Sequence, residues 1–246
     1  MYALAGKKAL VTGGSRGMGA AISVALASHG ADVAFTYRQN AERAAAVATR
    51  IEAEGRRALA IKADSADAAV VRQVVDQAAM ELGRLDILVN NAGIFPYGPF
   101  EDVEPAQYEE TMAVHVRAVF VASQAAVARM KDGGRIISIG SSLASRVPAG
   151  GTTLYSTSKS ALVGFTKGLA RELGPRGITV NLVEPGSINT DMNPADSEIA
   201  DGERALTALG RYGEPEDMAA MVLHLAGVTG NNITGASFAV DGGSTA

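Results

Sequence analysis

Tyr155 and Lys159 stand four residues apart in the stretch Leu154-Tyr-Ser-Thr-Ser-Lys159. On a helix that spacing puts two side chains on one face, so a phenol and an ammonium group can converge on one spot. The chemistry that needs such a pair is proton transfer to or from a carbinol oxygen. A free tyrosine has a pKa of about 10 and is a poor base at neutral pH. A fixed positive charge beside the phenol favours the phenolate, so the pairing predicts a Tyr155 pKa drawn down toward neutrality by Lys159. Taken alone, the pair fits two solvated side chains on a helix equally well. Its meaning depends on what the rest of the chain places around it.

The elements that would position the pair follow from pattern. Arg135-Ile-Ile-Ser-Ile-Gly140 is alternating and β-branched, the mark of a strand. Ala161–Ala170 carries apolar residues at helical spacing, so Tyr155 and Lys159 should open a long helix. Near the start, the apolar strand Lys8-Ala-Leu-Val-Thr12 runs into Gly13-Gly-Ser15-Arg16-Gly17-Met18-Gly19 and then a helix-forming stretch from Ala20. Strand, glycine loop and helix in that order can cradle a pyrophosphate on bare backbone N–H groups and a helix N-terminus. The bland alternative is a tight turn with a glycine-mediated helix contact.

Alternation continues along the chain. Asp32–Tyr37, Arg57–Lys62, Leu85–Asn90, Ile178–Val183 and Ser237–Val240 read as strands, and Ala41–Glu54, Ala66–Leu82, Pro105–Met130 and Pro215–Gly227 as helices. This implies right-handed crossovers and a doubly wound α/β fold, with a parallel sheet covered on both faces. With no repeat, linker or low-complexity tract, residues 1–246 are expected to form a single domain. A net charge of −4 gives no general attraction to nucleic acid or to an anionic membrane. Zero cysteines exclude a disulfide scaffold and a zinc-thiolate site, and no metal is expected. The N-terminus lacks a signal-peptide core, and no uninterrupted apolar run has transmembrane length. The expected location is the cytoplasm.

With Gly13–Gly19, Asn90–Gly93, the Ser141, Tyr155 and Lys159 group and Pro185-Gly186 in place, the chain resembles the short-chain dehydrogenase/reductase family over residues 5 to 243. The resemblance implies an NAD(P)(H)-dependent oxidoreductase of small-molecule carbonyls and alcohols. It also implies a seven-stranded Rossmann sheet and a homotetramer. Tyr155 would be the general acid/base, Lys159 would hold the ribose and tune the phenol, and a serine would orient the substrate oxygen. Ser141 and Ser142 lie 14 and 13 residues before Tyr155. Ser141, which ends the strand, is the favoured one. One position departs from the family pattern, since an asparagine that holds a relay water is replaced by His115. The imidazole can donate and accept, so it either takes over the relay and adds a titration of its own or is a helix histidine irrelevant to turnover.

An acid at the end of the second strand would accept from an adenosine ribose diol and repel a 2′-phosphate. This chain has Tyr37 and Arg38 there, and Arg16 in the glycine loop. Two guanidinium groups with no acid competing favour NADP(H) over NAD(H). By resemblance Asp64 and Ser65 would meet the adenine, and Asn91, Ala92 and Gly93 would pass beside the ribose. Pro185, Gly186, Ile188 and Thr190 would hold the nicotinamide and phosphate end.

Asn189–Leu209 should form a lid, whose acids read as a solvated face. Phe95, Tyr97, Leu143 and Met192 would line a modest substrate pocket. The chain is similar in length to 3-oxoacyl-carrier-protein reductases, which present basic residues near the mouth. Arg176 matches one such position, whereas Asp132 falls where another would be basic. Pro185–Ala195 resembles a branch that includes a bacterial biofilm-dispersal protein proposed to bind cyclic di-GMP. A nucleotide-binding regulator is therefore the alternative to an enzyme.

Overall fold

A computed structural model describes residues 4–246. Seven strands form one parallel sheet: β1 (Lys8–Val11), β2 (Asp32–Tyr37), β3 (Ala58–Lys62), β4 (Leu85–Asn90), β5 (Met130–Ile139), β6 (Thr179–Pro185) and β7 (Ser237–Val240). Their order is β3-β2-β1-β4-β5-β6-β7, so the direction of winding reverses between β1 and β4. The helices are α1 (Gly17–Ser28), α2 (Ala41–Ala53), α3 (Ala68–Leu82), α4 (Pro105–Met112), α5 (Ala118–Arg129), α6 (Thr153–Leu173), α7 (Ala200–Ala205) and α8 (Pro215–Ala226).

Both faces of the sheet are dry, which is why the strands read as nearly continuous apolar runs. Successive side chains of β1 point to opposite faces. Ala9 and Val11 join a core with α1, α2 and α8, whereas Leu10 joins one with α3, α5 and the end of α6. The C-terminal ends of β1 and β4 therefore open a crevice at the switch point, where open α/β sheets bind ligands.

Three elements differ from the sequence reading, besides β5, which starts at Met130 rather than at Arg135. The third helix starts at Ala68 because Asp64 and Asp67 take the preceding residues. Asp64 accepts from Ala66 N–H at 2.9 Å, and Asp67 caps α3 by accepting from Ala69 and Val70 at 2.8 and 3.1 Å. The helix Pro105–Arg129 is interrupted by a π-turn, Ala113–Arg117, that contains His115. By length and composition it could cross a membrane, with mean hydropathy 1.3 over an 18-residue window, although charged residues such as Arg117 interrupt its apolar run. Its buried residues pack into the core formed with α3 and α6, which accounts for the apolar composition. Finally, the lid contains a short helix, α7, that the acid-rich pattern did not suggest.

Loss of the α3 cap gives a test of these assignments. Asp67→Ala leaves two first-turn N–H groups without their acceptor, which costs about 1 kcal/mol. For a chain of this size that is a drop of about 2–4 °C in Tm, measured by calorimetry. An unchanged Tm would show that water replaces the cap.

Candidate active site

A cleft of about 1070 Å³ lies over the C-terminal ends of β1, β4 and β5. Every residue assigned to the dinucleotide, from Gly13 to Thr190, lines it, and so do Ser141, Tyr155 and Lys159. The four side chains expected to bound a substrate pocket, Phe95, Tyr97, Leu143 and Met192, line it as well.

The floor is the glycine loop. Gly13 has φ +66°, and its N–H donates to Thr36 Oγ1 at 2.9 Å. A Cβ on Gly19 would sit 2.2 Å from Gly13 O, so α1 can start this close to the strand only with glycine there. No side chain caps α1, and its first turn carries no acid. Its leading residues Gly17, Met18 and Gly19 face the cleft. An uncapped helix N-terminus behind a loop without side chains fits a dinucleotide pyrophosphate.

Asn91 does more than pass beside a ribose. Its amide donates to Thr12 O at 2.9 Å and Gly13 O at 3.1 Å. Thr12 Oγ1 in return accepts from the N–H groups of Asn91 and Ala92 at 2.9 and 3.0 Å. The ends of β1 and β4 are thereby locked together. Thr12 was not singled out in the sequence, because its partners lie 79 and 80 residues away.

Tyr155 and Lys159 lie in the first two turns of α6, as their spacing requires. Lys159 is 5% exposed and donates to Ile139 O at 3.0 Å. Its Nζ lies 5.7 Å from the centre of the Tyr155 ring. Burial lowers the Lys159 pKa to about 8. The Tyr155 ring stands edge-on to Phe95 at 4.8 Å and to His115 at 5.6 Å. Its pKa is raised: burial pushes it up, and the Ser141 hydroxyl set against it pulls it down without prevailing. This corrects the expectation of a lowered phenol. The ammonium is spent on a backbone carbonyl and stands beside the ring, so desolvation outweighs its attraction.

Ser141 and Ser142 are both buried and both line the cleft. Ser141 is the one whose hydroxyl meets the phenol, and it also accepts from Leu143 N–H at 3.1 Å.

His115 lies behind the ring. Its Nε2 accepts from Ile94 N–H at 3.0 Å, and its Nδ1 is 2.8 Å from Ser158 Oγ. Ser158 spends its proton on Tyr155 O, so Nδ1 carries the hydrogen and donates to Ser158. Both ring nitrogens are thus engaged by protein. Burial, then the charge of Lys159, bring the His115 pKa down to about 3, and the Ile94 N–H donated to Nε2 requires that nitrogen to be unprotonated. The imidazole is therefore neutral around pH 7, which leaves it no titration of its own there. The residue ties the chain after β4 to the turn of α6 that bears Tyr155.

The basic residues also differ from expectation. Arg38 NH1 lies 3.7 Å from Glu110, and Arg16 NH1 lies 3.0 Å from Asp191, so acids do compete for both. Arg43, unremarked in the sequence, lines the cleft and reaches the same Asp191 oxygen at 2.6 Å. Arg176 is not at the mouth. It pairs with Asp132 and donates to Val127 O and Met130 O, at the end of β5 opposite the cleft.

A family model described as Enoyl-(Acyl carrier protein) reductase matches residues 13–245. The chain belongs to the short-chain dehydrogenase/reductase family. It is 57% identical to a short-chain dehydrogenase of Burkholderia cenocepacia solved in complex with NADP, with TM-score 0.98 over 99% of this chain and all of that one. A blue fluorescent protein from a metagenomic library, solved with NADPH, is 58% identical, with the same score and coverage. The cyclic-di-GMP-binding biofilm dispersal mediator protein of Escherichia coli K12 is 42% identical over 98% of each chain.

The neutral, doubly bonded imidazole gives the second test. In the folded protein the His115 ring should show nitrogen NMR shifts of the Nδ1–H tautomer, unchanged from pH 6 to 7.5. His115→Leu should lower Tm, because Ile94 N–H loses its buried acceptor and Ser158 a donor, at about 1–3 kcal/mol for each group left unpaired. An imidazole that titrates near its ordinary value would refute the arrangement.

Proposed function

We propose that this protein is an NADP(H)-dependent oxidoreductase that reduces a ketone or aldehyde, or oxidises the corresponding secondary alcohol, with Tyr155 as general acid/base. The observation that carries the reading is the placement of Ser141, Tyr155 and Lys159 in the same cleft as an uncapped glycine loop. The bound dinucleotide supplies the hydride. Tyr155, whose pKa lies above its ordinary value, keeps its proton at neutral pH and can give it to the carbonyl oxygen. Ser141 Oγ accepts from Leu143 N–H and so keeps its own proton to donate to that same oxygen. Lys159 places a buried positive charge beside the phenolate left behind. Phe95 and Leu143 give a substrate apolar walls.

NADP(H) preference rests on Arg16 and Arg38. Their acidic partners are half-exposed, and such pairs contribute about 0.2–1 kcal/mol each. A phosphate dianion accepting charge-assisted hydrogen bonds displaces Glu110 from Arg38 readily and is reached by the Arg16 N–H groups that Asp191 leaves free.

Identity to the Escherichia coli protein supports a second reading, a regulator that binds cyclic di-GMP in this cleft. A single titration separates the two. On the regulatory reading cyclic di-GMP competes with NADPH and no ketone is turned over.

Tyr155→Phe keeps the ring's packing and removes the proton. Turnover of NADPH with a responsive ketone should fall by about 10²–10⁴-fold, the usual contribution of a positioned acid. Fluorescence titration should give an NADPH affinity close to wild type and tighter than for NADH. Near-normal turnover in the variant would overturn the assignment.

The homotetramer is proposed on the α5 and α6 surface. Phe120 is 56% exposed against Phe165, with ring centres 5.9 Å apart, while Gly164 and Gly168 face open space. Ala170, further along the same helix, is in the core instead. Small residues beside exposed aromatics suit close packing with a second copy. Light scattering should give a multiple of the 25.2 kDa chain mass, and Phe120→Glu should lower it. A wild-type monomer at micromolar concentration would refute this.

A further inference from the structure

The lid meets the opposite bank of the cleft at one point. Thr190 and Asn193 exchange backbone hydrogen bonds at 3.4 and 3.0 Å, which leaves Asp191 and Met192 at the tip of a tight turn. The turn is braced from behind. Asn189 N–H donates to Gly213 O at 2.9 Å, Asn189 Oδ1 accepts from Ala195 at 3.1 Å, and Tyr212 donates to Asn193 Oδ1 at 3.2 Å. On the cleft side Thr190 packs against the glycine loop, where a Cβ on Gly17 would lie 3.2 Å from its methyl group.

The two tip residues divide the work. Met192 lines the cleft. Asp191 Oδ2 is gripped by Arg16 from the glycine loop and by Arg43 from the first turn of α2. Burial would raise the Asp191 pKa, but hydrogen bonds from Arg43 and Arg16 outweigh it and the net shift is downward. These partners lie 148 and 175 residues from Asp191, and no other ion pair joins the lid to that bank among the described residues.

We propose that Asp191, Arg16 and Arg43 form a clasp across the cleft that retains the bound dinucleotide, with Asp191 and Arg43 acting as positioning residues for the lid. This rests on the dinucleotide reading above. The clasp bridges the loop that cradles the pyrophosphate and the segment that covers it. It therefore acts through a part common to NADPH and NADH, whereas the 2′-phosphate would be met by Arg38 and by the Arg16 N–H groups outside the clasp. Both pairs are half-exposed, so the clasp is weak and opens often. Its strength falls as salt rises.

Stopped-flow displacement of NADPH and of NADH, followed by nicotinamide fluorescence, tests this. Asp191→Asn should speed dissociation of both dinucleotides by about fivefold at low salt, equivalent to about 1 kcal/mol. The gap should shrink in high salt. Arg43→Gln should do the same, and the double variant should be no faster than either single one. Faster release with kcat raised and hydride chemistry in single turnover unchanged would distinguish a clasp from a general loss of structure. If Asp191→Asn tightens NADPH alone, the carboxylate is instead a stand-in for the 2′-phosphate, and the proposal falls. Unchanged release rates in both variants would also sink it. A wild type that binds neither dinucleotide would refute the underlying reading, which is a separate outcome.

Discussion

Thr12 and Asn91 exchange the contact on which the cleft depends. The strands they end, β1 and β4, are neighbours whose crossovers leave in opposite directions, so nothing in the winding itself holds the two following loops together. The Thr12 hydroxyl satisfies two N–H groups of the loop after β4, and the Asn91 amide satisfies two carbonyls of the loop after β1. Four hydrogen bonds fix the glycine loop against the chain that runs on to Gly93 and Ile94. From there the constraint passes to His115 through Ile94 N–H, then through Ser158 to the carbonyl of Tyr155. A set of protein hydrogen bonds thus links the glycine loop to the backbone of Tyr155.

The π-turn explains how a histidine can occupy this place. A π-turn adds one residue to a helix and is often found at functional sites. Here it lets α4 and α5 keep their own packing faces while His115 turns toward Gly93, whose missing side chain leaves room for Nε2 at 3.3 Å from an ideal Cβ position. With both nitrogens bonded to protein, the imidazole has no free lone pair or proton for a water. In this arrangement His115 holds its neighbours in place.

Much of this was legible in the sequence, for local reasons. Seven apolar strands, the glycine loop and the Tyr155–Lys159 spacing are patterns of adjacent residues, and each lies where the pattern put it. What escaped depended on distant partners. The acids of the lid were read as a solvated face, which holds for Asp196 and Glu198, whereas Asp191 finds two arginines far away in the chain. Arg38 looked free of competition until α4 brought Glu110 to it. The lowered phenol was expected from charge proximity alone, whereas desolvation is set by the fold, which no spacing reveals.

Desolvation also unites the two reacting groups. One dry pocket raises the Tyr155 phenol and lowers the Lys159 ammonium to about 8, because low dielectric favours the neutral form of each. At neutral pH the pair rests as a protonated phenol beside a lysine that is still mostly charged. On the proposed mechanism the first is the form that would donate to a carbonyl, and the second is the charge that would receive the phenolate. Holding that charge opposes folding. The folded pKa of Lys159 lies below its ordinary value of 10.5, so between about pH 8 and 10.5 the unfolded chain binds more protons and stability rises with pH. Below about 8 the penalty is complete, and it is present throughout the range in which the enzyme would work. The Ile139 carbonyl offsets part of it with one hydrogen bond, and on the proposed mechanism an anionic phenolate would offset more. On that reading the cleft is arranged around a charge whose partner, the phenolate, would appear only during turnover.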